Sequence, residues 1–140
     1  MKISEIMTNT VSSVSPNSTI KEAASIMKEL NVGSVPVCEG KRPIGIITDR
    51  DIVIRNVANA GDVNTPVSQV MSQNIIYGNP NMSDREAADL MSARQVRRLP
   101  IVENENIVGI VALGDLAVNN GTDMEVGQAL TDISVPSKPQ

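Results

Sequence analysis

The densest group of reactive side chains is the heptad Gly45-Ile46-Ile47-Thr48-Asp49-Arg50-Asp51, which sets a hydroxyl, a guanidinium and two carboxylates on four consecutive residues. An apolar, strand-like run gives way there to polar residues, so a strand-to-helix junction is expected. The free backbone N–H groups of such a junction carry partial positive charge and attract phosphate. Asp51 is an acceptor-only group able to take both hydroxyls of a ribose diol, and Thr48 can donate to phosphate or sugar. The plainer use of the same residues is to cap a helix, because Thr and Asp are favoured caps; both uses stay open on the residues alone. Asp49 beside a phosphate would repel it unless it turned outward or paired with Arg50. A second group is Arg97-Arg98 ahead of Leu99-Pro100. Paired guanidiniums form a good fork for phosphate oxygens, although the same pair can be a solvated feature at a strand entrance. A magnesium site built from Asp49 and Asp51 has too few oxygens.

What is missing narrows the chemistry further. The 140 residues contain no histidine, one cysteine (Cys38), one tyrosine and neither Phe nor Trp, with a formal net charge of −4. Without histidine the commonest general base and nitrogen metal ligand are gone, and a single cysteine forms no disulfide framework or Cys-rich zinc site. Cys38 reads as a small buried residue rather than a nucleophile. Scarce aromatics and an acidic balance argue against a nucleic-acid surface. No run approaches the length of a membrane span, and Met1–Ile6 lacks the apolar core of a signal peptide. A non-enzymatic, cytoplasmic protein with no catalytic residue, no metal site and no resident cofactor is expected.

The elements that position these groups occur twice. Shifted by 64 residues, Ile3–Val53 lies over Val67–Ala117 without a gap and with 14 of 51 positions identical. The identities include Met7/Met71, Pro16/Pro80, Ala23-Ala24/Ala87-Ala88, Met27/Met91, Pro36/Pro100, Gly45/Gly109 and Asp51/Asp115. A repeat of this length implies two similar units whose apolar faces pack on each other. Within each copy the pattern predicts β-α-β-β-α. In the first copy these are a short strand over Val11–Val14, a helix from Ile20 behind the capping box Thr19-x-x-Glu22, a strand at Val35–Cys38, a turn at Glu39–Pro43, a strand at Ile44–Thr48 and a helix over Asp49–Asn59. Ser83-x-x-Glu86 repeats the capping box. The fold class is α/β (α+β), with repeat one at 1–60, a turn-rich linker at 61–66, repeat two at 67–121 and a tail at 122–140. In that tail a short helix over Met124–Ile133 is expected after a break at Asn119-Asn120-Gly121, and Ser134–Gln140 is expected to fray. The copies differ at the heptad: Gly109 and Asp115 are kept, but Thr48 becomes Ala112 and Asp49-Arg50 become Leu113-Gly114.

Ser-Pro-x-x-[Thr/Ser]-x-x-Glu-Ala-Ala (Asn79-Pro80 in place of Ser-Pro in the second copy), then a hydrophobic-Pro strand, then Gly-h-h-Thr-x-x-Asp (h, hydrophobic), twice and in order, resembles the tandem cystathionine-β-synthase (CBS) domain pair over residues 1–121. The missing Thr at Ala112 and the tail depart from that pattern. The resemblance implies two units packed with pseudo-two-fold symmetry and two clefts for adenosine compounds such as AMP, ADP, ATP or S-adenosylmethionine. Carried over by position, one cleft takes Thr48, Arg50 and Asp51 with Val96, Arg97, Arg98, Leu99 and Pro100. There Asp51 holds the ribose, the arginines the phosphates, and Val96 with Leu99-Pro100 the adenine. The second, weaker cleft takes Asp115 with Ser4, Val32, Gly33, Ser34, Val35 and Pro36. The expectation is a stand-alone regulatory module that binds an adenine nucleotide, forms a homodimer and signals to an effector protein. The alternatives are a structural or interaction module with vestigial clefts, and a sensor of S-adenosylmethionine type.

Overall fold

The computed structural model describes residues 1–118; the break at 119–121 and the elements expected at 124–133 and 134–140 lie outside them. Helix α1 (Ile20–Leu30) begins where Thr19 Oγ1 accepts the Glu22 N–H and ends at Asn31, whose left-handed φ of 55° lets the chain turn out. Ile20, Ala23 and Met27 face inward at helical spacing. Strands β1 (Ser34–Glu39) and β2 (Arg42–Thr48) form an antiparallel hairpin, with Ser34 opposite Thr48 and a register shift at Val37/Cys38. In the second copy, α3 (Asp84–Arg94) starts with a reciprocal capping box between Ser83 and Glu86 and ends at Gln95, again left-handed at φ 55°. Strands β3 (Arg98–Glu103) and β4 (Asn106–Ala112) follow, then α4 (Leu113–Val118).

Two expected elements take another form. Val11–Val14 is not a strand: Val14 makes a single parallel bridge to Val37, and Gly78 makes the equivalent bridge to Ile101. At Val14 the chain leaves the sheet at once, because Ser15 enters a turn with Ser18 and Pro16 has no N–H to offer a ladder. Asp49–Asn59 is helical but not one α-helix. It runs as a three-residue α-turn, α2 (Asp49–Asp51), then a π-helical stretch Ile52–Asn56 and a 3₁₀ turn Val57–Asn59. Asn56 is buried, its amide donates to the Asp62 carbonyl and its own carbonyl accepts from Gly61 N–H, which fastens that turn to the loop rather than to a regular ladder. The β-branched run Ile52-Val53-Ile54 adds crowding against regular α geometry.

The compact units cut across the repeat boundaries. One unit holds Ser12–Ile75 with Glu105–Ile107, and the other holds Met1–Val11, Ile76–Asn104 and the described residues from Val108 on. We call them the repeat-one and repeat-two units. Each repeat's opening segment is built into the unit of the other repeat. Ile3, on a 3₁₀ turn at Ile3–Glu5, packs with Ala87, Met91, Leu99, Ile101, Val111 and Leu116; Val67 and Val70 pack with Ile20, Ala23, Met27, Val35 and Ile47. In the repeat-two unit Thr8 exchanges backbone hydrogen bonds with Ile110, and in the repeat-one unit Ser72 does so with Ile46. The glycines of the heptads now have a physical reason. A Cβ on Gly109 would lie 2.5 Å from Met7 Sδ, and one on Gly45 would lie 2.7 Å from the Ser72 carbonyl oxygen and 2.9 Å from Met71 Sδ. The repeated Met/Gly identities are thus one contact made twice.

Candidate functional site

In the repeat-one unit, β2 delivers the heptad to the start of α2. Thr48 Oγ1 accepts from Asp51 N–H at 3.0 Å and Asp51 Oδ2 accepts from Thr48 N–H at 3.1 Å, a closed capping box. The capping use of these residues is therefore realised. One carboxylate oxygen is committed to it; the other, Oδ1, lies 3.8 Å from Arg55 Nε. Arg55 was not among the residues expected at the site, although its position four after an aspartate on a helix is the available signal. Its guanidinium also reaches the Val70 and Met71 carbonyls at 3.4 and 3.5 Å, contacts at the weak end of hydrogen bonding.

The same unit gathers Val32, Gly33 and Ser34 beside Thr48 and Asp49, because Ser34 pairs with Thr48 and Asp49 N–H donates to the Gly33 carbonyl at 2.9 Å. Asp49 Oδ1 accepts from the Arg50 backbone N–H, and its Oδ2 lies 3.1 Å from where a Gly33 Cβ would stand. Asp49 and Arg50 are both exposed, whereas Val35 and Pro36 are buried in the strand behind them.

The repeat-two unit brings Ser4, Val96, Arg97, Arg98, Leu99, Pro100 and Asp115 into one body. Asp115 Oδ2 accepts from Ala112 N–H at 2.9 Å, the same reach-back as Asp51, with Ala112 supplying no hydroxyl in return. Leu113 N–H donates to the Arg97 carbonyl at 2.8 Å, the counterpart of Asp49 to Gly33. Leu99 is fully buried and Pro100 is buried with it, while Arg97 is exposed. Arg98 is the unusual group. Its Nε is buried with no hydrogen-bond partner among the described residues. Burial pulls its pKa below the ordinary arginine value and nearby Asp115 pulls it back up, so it remains a cation at neutral pH. The sequence expectation had placed Arg98 and Asp115 in different clefts; the structure puts them within electrostatic reach. Both expected clefts draw residues from both units. In the repeat-one unit, Cys38 is buried, and its thiol pKa is raised by that burial, an effect the Ser13 hydroxyl partly offsets.

A duplicated β-hairpin-and-helix unit with an acid reaching back at each strand end can now be set beside known proteins. The CBS domain profile matches twice, over residues 3–56 and 67–119. The chain belongs to the CBS-domain family. The CBS domain-containing protein YhcV of Bacillus subtilis (strain 168) is 54% identical over 132 residues, which cover 94% of each chain. Hypoxic response protein 1 of Mycobacterium tuberculosis is 36% identical, covering 81% of this chain and 80% of the relative. The solved structure of Hypoxic Response Protein I with two coordinated zinc ions matches with a TM-score of 0.78 at 35% identity, covering 84% of this chain and 98% of that one. The CBS domain protein PAE2072 from Pyrobaculum aerophilum, solved with AMP, gives a TM-score of 0.78 at 24% identity, covering 91% and 98%, a likeness of fold. For zinc the donor set here is poor: the chain has no histidine and one buried cysteine, and no group of three His, Cys, Asp or Glu side chains comes together among the described residues. Among those residues no helix is long and apolar enough to cross a membrane.

Proposed function

We propose that this CBS-pair protein is a cytoplasmic regulatory module that binds an adenine nucleotide and passes its bound state to a partner. The observation that carries the reading is Arg98, a guanidinium whose buried Nε has no acceptor among the described residues. Such a donor is costly to leave unmatched, and an anionic ligand matches it. Arg97, exposed next to it, adds a second fork for phosphate. On the repeat-one unit Asp51 keeps Oδ1 for a ribose hydroxyl, exchanging it with the loosely held Arg55, while Thr48 and Arg50 add polar contacts. Phosphate chemistry at Arg97-Arg98 and diol chemistry at Asp51 are both those of a nucleotide, and the AMP of the Pyrobaculum structure accords with them. The base rests on aliphatic side chains such as Val96. Without aromatic stacking, affinity falls in the micromolar to millimolar range, about −4 to −8 kcal/mol. The ligand is regulatory, not a resident cofactor.

Output through a second copy is supported by Val53, Ile54 and Val57, all about half exposed on the irregular helical stretch after Asp51. A homodimer that covers them is expected by sedimentation, with Ile54→Glu shifting it to monomer. A monomer at all concentrations removes that part of the proposal.

Thermal denaturation with AMP, ADP, ATP and S-adenosylmethionine tests the function. A ligand at 100 times its Kd adds about 2.7 kcal/mol. Arg98→Ala and Asp51→Ala should each remove the shift given by AMP, ADP and ATP, measured against the same variant without ligand because Asp51→Ala also loses a helix cap. No shift with any of the four overturns the reading.

A further inference from the structure

The two strand entrances carry opposite charge, on opposite partners of an equivalent backbone hydrogen bond. Asp49 N–H donates to the Gly33 carbonyl and Leu113 N–H donates to the Arg97 carbonyl, at 2.9 and 2.8 Å. The same backbone bond therefore joins glycine to a carboxylate in one unit and a guanidinium to an apolar side chain in the other. The next residue repeats the contrast, Ser34 against Arg98. Asp49 is held in place: Oδ1 accepts from the Arg50 N–H at 2.8 Å, and all three terminal carboxyl atoms lie 3.1–3.4 Å from the position a Gly33 Cβ would occupy. No ion pair between Asp49 and the Arg50 guanidinium forms among the described residues, so its charge is not neutralised there.

We infer that Asp49 is a charge filter, a specificity-determining residue that makes the repeat-one entrance take an adenosine derivative with no negative charge at its 5′ end, while the repeat-two entrance takes the phosphorylated ligand. The inference rests on the adenosine-binding reading above and assigns a different ligand class to each entrance. A phosphate dianion approaching Gly33 meets a fixed like charge, and a side chain at position 33 would crowd the carboxylate that covers the entrance. At the repeat-two entrance the same approach meets Arg97 and Arg98.

Calorimetric titration of the full chain with adenosine and with AMP, on wild type, Asp49→Asn and Asp49→Glu, tests this. Asn keeps the acceptor for the Arg50 N–H and removes only the charge. Wild type should bind one equivalent of AMP and a second equivalent of adenosine. In Asp49→Asn a second equivalent of AMP should appear, its affinity raised about tenfold, with the gain shrinking at high salt; Asp49→Glu should behave as wild type. If adenosine and AMP bind but Asp49→Asn leaves AMP stoichiometry and the AMP-to-adenosine affinity ratio unchanged, the filter is refuted. If neither compound binds wild type or variants, the nucleotide reading itself fails and takes the filter with it.

Discussion

Replacing Arg98 with methionine should raise the stability of the ligand-free protein while weakening nucleotide binding, and opposite signs from one substitution are hard to obtain by accident. Methionine keeps most of the aliphatic stem that packs at the start of β3 and deletes the guanidinium. An unsatisfied buried donor such as Arg98 Nε costs about 1–3 kcal/mol. Losing the attraction between Arg98 and Asp115 takes back about 0.5–1 kcal/mol, since both lie near the surface rather than deep inside. Asp115 is not stranded, because its Oδ2 still accepts from Ala112 N–H. The net gain is about 1 kcal/mol, or roughly 2–4 °C in Tm for a chain of this size. With AMP present the sign reverses, as charge-assisted hydrogen bonds of about 1.5–3 kcal/mol are lost, a fall of roughly 10- to 150-fold in affinity. Denaturant titration without ligand and calorimetry with AMP read the two effects separately. A variant less stable by 1 kcal/mol or more would mean that the guanidinium is already satisfied inside the protein. An unchanged AMP affinity would mean that it is not the anion's partner.

Three further outcomes follow from the geometry. Ala112→Thr should complete the half-formed box at Asp115 and stabilise the chain by up to about 1 kcal/mol, whereas Thr48→Ala should cost about the same by opening the box at Asp51; thermal melts of the pair that fail to move in opposite directions refute the shared capping role. Gly45→Ala should cost about 2–3 kcal/mol and Gly109→Ala less, because the nearest obstacle at Gly45 is the Ser72 backbone oxygen and at Gly109 the movable Met7 thioether; equal losses in denaturant midpoints would count against these contacts. Cys38 has a thiol pKa raised by burial, so its contribution to stability is complete below the unfolded cysteine pKa, near 8.5, and is lost as pH rises through the higher folded value. Stability of the Cys38→Ala variant should fall less than wild type above that window, and the native thiol should resist thiol reagents at pH 8 until the protein unfolds.

Much of this was open to reading because duplication prints the pattern twice. Thr19/Ser83 ahead of Glu22/Glu86 located both long helices, and Val35–Cys38 with Ile44–Thr48 located a hairpin that is in fact longer by a residue or two at its ends. The same duplication concealed the exchange of opening segments. Met7 packs on Gly109 and Met71 on Gly45, yet methionine and glycine occupy both copies, so the sequence is equally compatible with each methionine staying in its own repeat. The breaking of α geometry after Asp51 was hidden for another reason. It depends on where the Asn56 amide finds its partner at Asp62, which periodicity does not encode. At the site, the residue types were readable but not their neighbours. The strand ladder alone brings Gly33 under Asp49 and Arg97 beside Leu113.

The aspartate that ends each heptad shows how a structural and a ligand-binding use can share one side chain. Asp51 and Asp115 both spend Oδ2 on the N–H three residues back, which fixes the carboxylate at the end of the strand. Capping is therefore not a rival to ligand binding: a carboxylate locked by its own backbone loses little rotamer entropy when a ligand arrives. The two copies then differ in what faces the remaining oxygen and the strand entrance beside it. Near Asp51 stand Thr48 and Arg55, with the charge of Asp49 two residues back; near Asp115 stands Arg98, whose Nε finds no acceptor among the described residues. Two copies of one fold holding one shared carboxylate geometry thereby offer different electrostatic surroundings.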